Sequence, residues 1–316
     1  MVAIGCEGSM DLPSLIKTIP QLKDVAIATL SWETIDGGWS NHNYLLIVNG
    51  KKFVLREPVA SNEEGINREA ELFNTQHAAN AGLCYPFIYF DANSGISLRE
   101  YVEGHPPTDE NETITPHTLQ EIAATLKCLH ALPAHFFNAT NHFLLIEKTI
   151  QYIQRYAPNS LDEYAHLLAE SSKVKKYIDT HAVQSVPCHN DPNPRNFLFT
   201  QNKVFLLDWE YSGNGDPAWD IAYFIAHGNL DETSEKKFLN HYFSSGILAN
   251  DYDRIVVYKP ITLLIFALWI RLQRVKKHWP VTENELIYWE ETLHQEIAAY
   301  FASEQHQKVI RFLEGI

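Results

Sequence analysis

The sequence has few cysteines and no compact set of metal ligands. Cys6, Cys84, Cys128 and Cys188 are scattered along the chain and include no C-x-x-C pair. This spacing disfavours a disulfide framework or a zinc site and is typical of small buried side chains in a reducing compartment. The fifteen histidines include no H-E-x-x-H motif. We therefore expect no structural metal centre.

Positive charge is also scarce. The formal net charge is -14, with 25 Lys and Arg against 39 Asp and Glu. Nucleic-acid binding needs a basic patch or stripe, so this balance predicts no nucleic-acid partner. An acidic surface attracts cationic ligands over long range, although many proteins are acidic simply because net charge keeps them soluble.

Long apolar runs are missing as well. The longest run, residues 261–270, lies between Lys259 and Arg271 and is too short to span a bilayer, so we expect a buried helix there. The first residues, MVAIGCEGSMD, lack the basic region of a signal peptide. The sequence thus predicts a cytoplasmic protein without a membrane partner.

The amino-terminal part has strand patterns. Apolar runs at 27–33, 44–48 and 52–56 predict three strands, and Asn49-Gly50 is a strong signal for a two-residue hairpin. Helical spacing at 67–81 stops at Gly82, a typical C-terminal signal. Two further strands are predicted at 86–90 and 96–102. The order is three strands, one helix and two strands.

After residue 104 the patterns become helical. Thr115-Pro116 begins a helix as cap and first-turn proline, and helices are predicted at 143–156 and 161–180. A polar loop and a short strand interrupt them at 186–207, and helices dominate from Trp219 onward. The sequence therefore predicts an α+β protein with an amino-terminal domain at 1–102, a helical domain at 103–316 and a cleft near 100–105.

One stretch, residues 188–222, carries the chemistry. It contains His189-x-Asp191-x-x-x-x-Asn196 and then an apolar strand that ends at Asp208. Phosphoryl transfer needs a carboxylate near the attacking hydroxyl and hard oxygen ligands for magnesium. Asp191, Asn196 and Asp208 have the residue types and the spacing for those tasks.

The stretch resembles the core of the choline/ethanolamine kinase and aminoglycoside phosphotransferase superfamily, and DWEYSGNGDPAWDIA is closest to its choline kinase-like and thiamine kinase-like bacterial members. The resemblance implies a protein-kinase-like bilobal fold, with a small five-stranded antiparallel sheet plus a helix and then a larger helical lobe. It implies that Asp191 is the catalytic base, that Asn196 and Asp208 bind Mg2+, that His189 braces the loop, and that Asp220 ties the loop to the next helix.

The resemblance extends to the amino-terminal part and implies an ATP site. It makes the GGWSNHN segment the loop over the phosphates, including Gly37, Gly38, Ser40 and Asn41. Arg56 takes the place of a phosphate-contacting lysine, and its ion-pair partner is Glu71, with Glu69 as the second choice. Residues 98–102, including Glu100 and Tyr101, form the hinge that offers backbone groups to adenine.

The acceptor is less clear from the sequence. Glu210, Tyr211 and Trp269 are the substrate candidates, because aromatic faces and nearby carboxylates bind ammonium groups. Many choline kinase relatives carry an acid where this chain has Ala226-His227-Gly228. Choline or ethanolamine is the first hypothesis for this small cationic alcohol, thiamine the second and an aminoglycoside the third. A pseudokinase-like module that binds a ligand without turnover is the non-enzyme alternative.

Overall fold

The computed structural model describes residues 11–35, 41–59, 65–108, 114–277 and 281–314. The strands in this part of the chain are β1 (Leu30–Ile35), β2 (Asn41–Val48), β3 (Lys51–Pro58), β4 (Tyr89–Phe90), β5 (Ser97–Glu100), β6 (Val186–Cys188), β7 (Phe197–Phe199), β8 (Val204–Leu206) and β9 (Gly213–Gly215). The helices are α1 (Leu12–Thr18), α2 (Arg68–Asn80), α3 (Pro116–His130), α4 (His142–Tyr156), α5 (Ala165–Thr180), α6 (Pro217–His227), α7 (Glu232–Tyr242), α8 (Ala249–Lys276), α9 (Glu283–Ala302) and α10 (Glu304–Glu314).

The first five strands form one antiparallel sheet in the order β1-β2-β3-β5-β4. Asn49 and Gly50 have φ angles of 50° and 78°, the left-handed conformation that a two-residue turn needs, and Val48 pairs with Lys51 across it. Apolar side chains of α1 pack on the sheet around Leu46 and Leu55. The predicted strands, hairpin and α+β class are confirmed.

Three predicted strands are shorter than expected, among them β5, which spans only Ser97–Glu100 of the predicted 96–102. Residues 27–29 form a 3-10 turn, in which the Thr29 hydroxyl donates to the Ala26 carbonyl, and β1 begins only at Leu30. In the 86–90 run only Tyr89 and Phe90 pair. Pro86 has no N–H to donate to a ladder, which shortens the pairing there.

The larger core lies among the helices after residue 114 and includes α3, α6 and α8. The apolar run 261–270 belongs to the 28-residue helix α8, which is long and apolar enough to cross a membrane by length and composition. However, 83% of its most apolar window is buried inside the protein, which fits the expected core helix. Cys84 and Cys188 are buried as expected, but Cys128 is exposed on α3, so the expectation for it is wrong.

Helix α2 is bonded to parts of the chain far beyond the sheet. Its buried Asn74 donates from Nδ2 to the Ser212 carbonyl (3.0 Å) and to Asn138 Oδ1 (3.1 Å). Asn74 Oδ1 accepts a hydrogen bond from the Phe137 amide (2.8 Å). These bonds fix the helix against the segment that follows Asp208.

A buried histidine makes the fold sensitive to acid. His142 stacks on Trp219 with 3.4 Å between the ring centroids. Burial lowers the pKa of His142 from 6.5 to about 3, although nearby Asp220 raises it. The unfolded chain therefore binds a proton between those two pH values that the folded chain does not, and stability falls as the pH drops through this window.

We expect this residue to lower the free energy of unfolding by about 2 kcal/mol between pH 7 and pH 5. Urea unfolding at both values tests this. His142→Gln should show a smaller loss than the wild type, whereas the exposed His241→Gln should keep the full loss. Equal pH dependence in wild type and His142→Gln would contradict the assignment.

Candidate active site

The β7–β8 hairpin brings the two expected metal ligands together. Asn196 directly precedes β7, and Asp208 lies two positions after the end of β8. The register pairs Phe197 with Leu206, and the Leu207 amide donates to the Asn196 carbonyl (2.7 Å). Both side chains therefore emerge at the open end of the same hairpin.

The loop that carries Asp191 is held by Asp220 on α6. The Asp220 carboxylate accepts the His189 amide at Oδ2 and the Asn190 amide at Oδ1, both at 2.8 Å. Asn190 has φ 66°, a left-handed conformation that asparagine tolerates better than most residues. His189 is fully buried and its Nε2 donates to the Leu207 carbonyl (2.8 Å), which joins the loop to the strand before Asp208. Burial lowers the pKa of His189, so its ring is neutral and braces the loop.

Asp191 is poised to take up a proton. The pKa of its carboxyl is raised from 3.8 to about 7 as the net result of opposing effects: burial raises it most, hydrogen bonds from Tyr223 and Asn196 lower it, and the negative charge of Asp208 raises it. Asn196 Nδ2 donates to Asp191 Oδ2 at 3.2 Å. A carboxyl with a pKa near neutrality beside a polar loop has the property that general bases need.

Asp208 and Asn196 fit a divalent cation. Oδ1 of Asp208 is buried and, within the described residues, accepts no hydrogen bond, while Arg56 Nη1 lies 3.8 Å from it. The amide nitrogen of Asn196 faces Asp191, which leaves its carbonyl oxygen for a metal ion. Two hard oxygen donors of this kind suit magnesium. Asp208 has φ 63°, a left-handed backbone conformation that is uncommon for residues other than glycine, and this conformation sets the direction of its side chain.

A buried charge cluster lies beside Asp208. Arg56 on β3 donates to Glu71 on α2 (2.6 Å) and to the Gly95 carbonyl (2.9 Å). The other Glu71 oxygen accepts from Arg68 (2.6 Å), and Arg68 also reaches Glu210 (3.2 Å). Burial raises the pKa of Glu71, but the two guanidinium groups outweigh it and hold that pKa below its ordinary value.

The same cluster decides between the two sequence candidates for the partner of Arg56. Glu71 is 1% exposed and forms the ion pair, whereas Glu69 is exposed. Removing one member of a buried ion pair leaves an uncompensated charge, so Glu71→Gln should lower the free energy of unfolding by about 3–5 kcal/mol. Glu69→Gln, the same change two residues earlier, should alter it by less than about 0.5 kcal/mol. Equal urea midpoints for the two variants would contradict this cluster.

The expected nucleotide contacts are only partly within the described residues. Gly37, Gly38 and Ser40 lie outside them, and Asn41 is a buried residue at the start of β2. Glu100 ends β5 opposite Phe53. The Tyr101 amide donates to the Lys52 carbonyl (3.1 Å), so it fastens the hinge to β3 and is not available to adenine.

The substrate candidates fall into different surroundings. Glu210 is 6% exposed and bound to Arg68, and burial followed by repulsion from Asp208 raises its pKa to about 8. It therefore belongs to the charge cluster rather than to an acidic substrate rim, which corrects the expectation. Tyr211 is half-buried. Burial is the main cause that raises the pKa of its hydroxyl, and the nearby carboxyl groups of Glu210 and Asp191 raise it further.

Trp269 belongs to a row of half-buried rings that we call the aromatic wall, formed by Tyr223, His227, Phe266 and Trp269. Tyr223 stacks on His227 (3.9 Å), His227 meets the edge of Phe266 (5.6 Å), and Phe266 stacks on Trp269 (5.9 Å). Tyr223 also hydrogen-bonds to Asp191, so the wall begins at the expected base.

Two residues that the sequence interpretation missed contact the candidate site: Arg68 and His130. His130 on α3 binds Asp220 Oδ2 through Nε2 (3.0 Å). Their hydrogen-bond partners are far away in the chain: Arg68 and Glu210, for example, are 142 positions apart. A local motif carries no information at that separation, although a buried helix position with a polar residue is a weak signal.

Comparison with known proteins places the chain in context. Its residues 31–255 match the model of the phosphotransferase enzyme family. Protein LicA of Haemophilus influenzae is 31% identical over 251 residues, which are 76% of this chain and 72% of the relative. Thiamine kinase of Escherichia coli is 25% identical over 192 residues, which are 60% of this chain and 64% of that enzyme.

The fold has a close structural match. The crystal structure of choline kinase LicA from Streptococcus pneumoniae superposes with a TM-score of 0.76 at 24% identity, covering 92% of this chain and 100% of that one. This likeness shows that the sheet and the helices follow the kinase-like arrangement.

Proposed function

This chain belongs to the phosphotransferase enzyme family and is a small-molecule kinase, and on that premise we propose that it transfers the γ-phosphoryl group of ATP to the hydroxyl of an amino alcohol, choline or ethanolamine first. The observation that carries the proposal is the convergence of Asp191, Asn196 and Asp208 at the end of one hairpin and one loop. A binding module without turnover has no chemical need for a carboxyl whose pKa is raised to about 7 beside two potential metal ligands.

In this proposal Asp191 accepts the hydroxyl proton while the alcohol oxygen bonds to the γ-phosphorus and the bond to the β-phosphate oxygen breaks, which releases ADP. The raised pKa of Asp191 suits it to hold that proton. Arg56, fixed by Glu71, would face the phosphate groups. Mg2+ held by Asn196 and Asp208 would supply charge neutralisation on the phosphates when bound.

The aromatic wall supports a cationic acceptor. Its half-buried ring faces begin at Tyr223, which is bonded to Asp191, and continue to Trp269. An ammonium group over such a face gains about 0.5–2 kcal/mol per good contact. The carboxylate of Glu210 already accepts a hydrogen bond from Arg68, so the binding of the cation would depend mainly on the aromatic ring faces.

Thiamine is the second candidate, because the same ring faces could stack on an aromatic acceptor and a thiamine kinase is among the relatives. An aminoglycoside is third, since nothing in the described part of this wall provides several carboxylates for a polyamine.

A nucleotide-consumption screen tests the proposal. Purified protein with ATP and Mg2+ is assayed against choline, ethanolamine, thiamine and several aminoglycosides, and ADP and phosphorylated product are quantified together. Saturable product formation with one of the two amino alcohols is the expected result. Turnover with thiamine alone would replace the acceptor, and no turnover with any acceptor would favour the binding module.

A further inference from the structure

A chain of hydrogen bonds connects α3 and α7 to the Asp191 loop. His130 lies at the end of α3, and its side chain is 5% exposed. Its Nε2 is 3.0 Å from Asp220 Oδ2, and its Nδ1 is 2.7 Å from the Tyr242 hydroxyl on α7. A carboxylate only accepts hydrogen bonds, so Nε2 carries the hydrogen. The ring therefore joins α3, α6 and α7 at one point.

Asp220 transmits this contact directly to the backbone of the loop. Its Oδ2 is shared between His130 and the His189 amide, and its Oδ1 accepts the Asn190 amide. Those two amides immediately precede Asp191, and Asn190 is the residue in the left-handed conformation. A carboxylate that lost one of three donors could rotate, and the left-handed peptide would be the first to relax.

These residues do not form a metal site. Ligand atoms of His130, Cys188 and Asp220 lie within 4.8 Å of one another. Both Asp220 oxygens are nevertheless occupied by hydrogen-bond donors, and burial raises the pKa of the Cys188 thiol well above its ordinary value, which keeps it protonated. A metal ion would have to displace the bonds that hold the loop.

We propose that His130 is a positioning residue of the transfer reaction: through Asp220 it fixes the two peptide N–H groups that precede Asp191, and Tyr242 fixes the orientation of its ring. The inference rests on the proposed role of Asp191. Small displacements of a reacting group cost up to about 10² in rate, so His130→Ala should lower kcat by ~10–10². The KM for ATP should stay within about twofold, because Arg56 and Glu71 lie in a separate cluster.

An open surface depression beside His130 provides a route for a chemical rescue. It has a volume of about 350 Å³ and is lined by Lys127, His130, Ala131, Tyr242 and residues 243–246. Truncation of His130 would extend this depression to Asp220. At alkaline pH, where both compounds are neutral, added imidazole should then restore kcat several-fold by donating to Asp220. N-methylimidazole, which has no N–H in its neutral form, should not. A residue with a merely structural role would show no such difference.

The experiment uses the full chain with three variants. His130→Ala is compared with Tyr242→Phe, which keeps the aromatic ring of residue 242 but removes the hydroxyl that contacts His130 Nδ1. It is also compared with His241→Ala, an exposed neighbour on α7 that should behave as wild type. An unchanged kcat in His130→Ala overturns the proposal. So does a fall in kcat that imidazole does not reverse and that Tyr242→Phe does not show in a milder form.

Amide hydrogen exchange provides a readout that does not depend on turnover. The amides of His189 and Asn190 should exchange faster in His130→Ala than in wild type or His241→Ala. If the wild type phosphorylates no acceptor, the proposed function fails while this measurement still decides whether His130 holds the loop. Unaltered exchange at both amides would overturn the inference by itself.

Discussion

Replacing Asp191 with asparagine is expected to lower kcat by ~10²–10⁴, the usual contribution of a general base. The amide has the size of the carboxyl and can still accept a hydrogen bond from Tyr223 or Asn196, so the loop should keep its shape. What disappears is the group that takes the hydroxyl proton. Steady-state kinetics with the best acceptor from the screen would measure kcat and both KM values.

The matched control is Asp179→Asn, the same chemical change at a carboxylate on α5 that is 60% exposed. It should leave kcat unchanged. Asp191→Asn with activity near that of the control would remove Asp191 from the role of base and would shift attention to another proton acceptor. A rise in the KM for ATP without a change in kcat would point to nucleotide binding instead.

Replacing Asp208 with asparagine should have the second large effect. Asparagine tolerates the left-handed backbone at this position, so the change tests the carboxylate with little added strain. Loss of a charged ligand beside the transferring group should lower kcat by about 10²–10³ and raise the Mg2+ concentration needed for half-maximal rate.

Stability should respond in the opposite sense to activity. Burial and the negative charge of Glu71 raise the pKa of Asp208, and only the attraction of nearby cationic groups such as Arg56 offsets them. Its Oδ1 accepts no hydrogen bond within the described part of the chain. Neutralising it should therefore leave the free energy of unfolding unchanged or slightly higher, as for other sites built for function. A marked loss of stability together with unaltered Mg2+ dependence would contradict the metal-ligand assignment.

Much of the site was predictable because its key residues are close in sequence. Asp191 and Asn196 share one loop, and the apolar run before Asp208 predicted one strand there, where the structure has the β7–β8 hairpin. The family resemblance proposed Arg56 and its partner Glu71, with Glu69 as the second choice, and the structure contains the Arg56–Glu71 ion pair. Their roles toward ATP and Mg2+ stay predictions.

Contacts between segments that are distant in the chain could not be predicted from the sequence. Glu210 follows Asp208 by two residues and was interpreted as a substrate acid, but Arg68 occupies it from α2. Strand 86–90 was overestimated because apolar composition does not reveal which residues find a pairing partner. The aromatic wall depends on the packing of α6 against α8, so the sequence could propose Trp269 but not the ring contacts that it makes.

The attachment of α2 has a practical consequence for expressing parts of this protein. The proposed boundary at residue 102 divides the chain, yet Asn74 and Arg68, both on the amino-terminal side, find partners at Ser212 and Glu210. A truncated polypeptide ending there would lose these hydrogen bonds and would expose to water the face of α2 that the later segments cover. Such a fragment is expected to fold only when the remaining polypeptide is supplied with it.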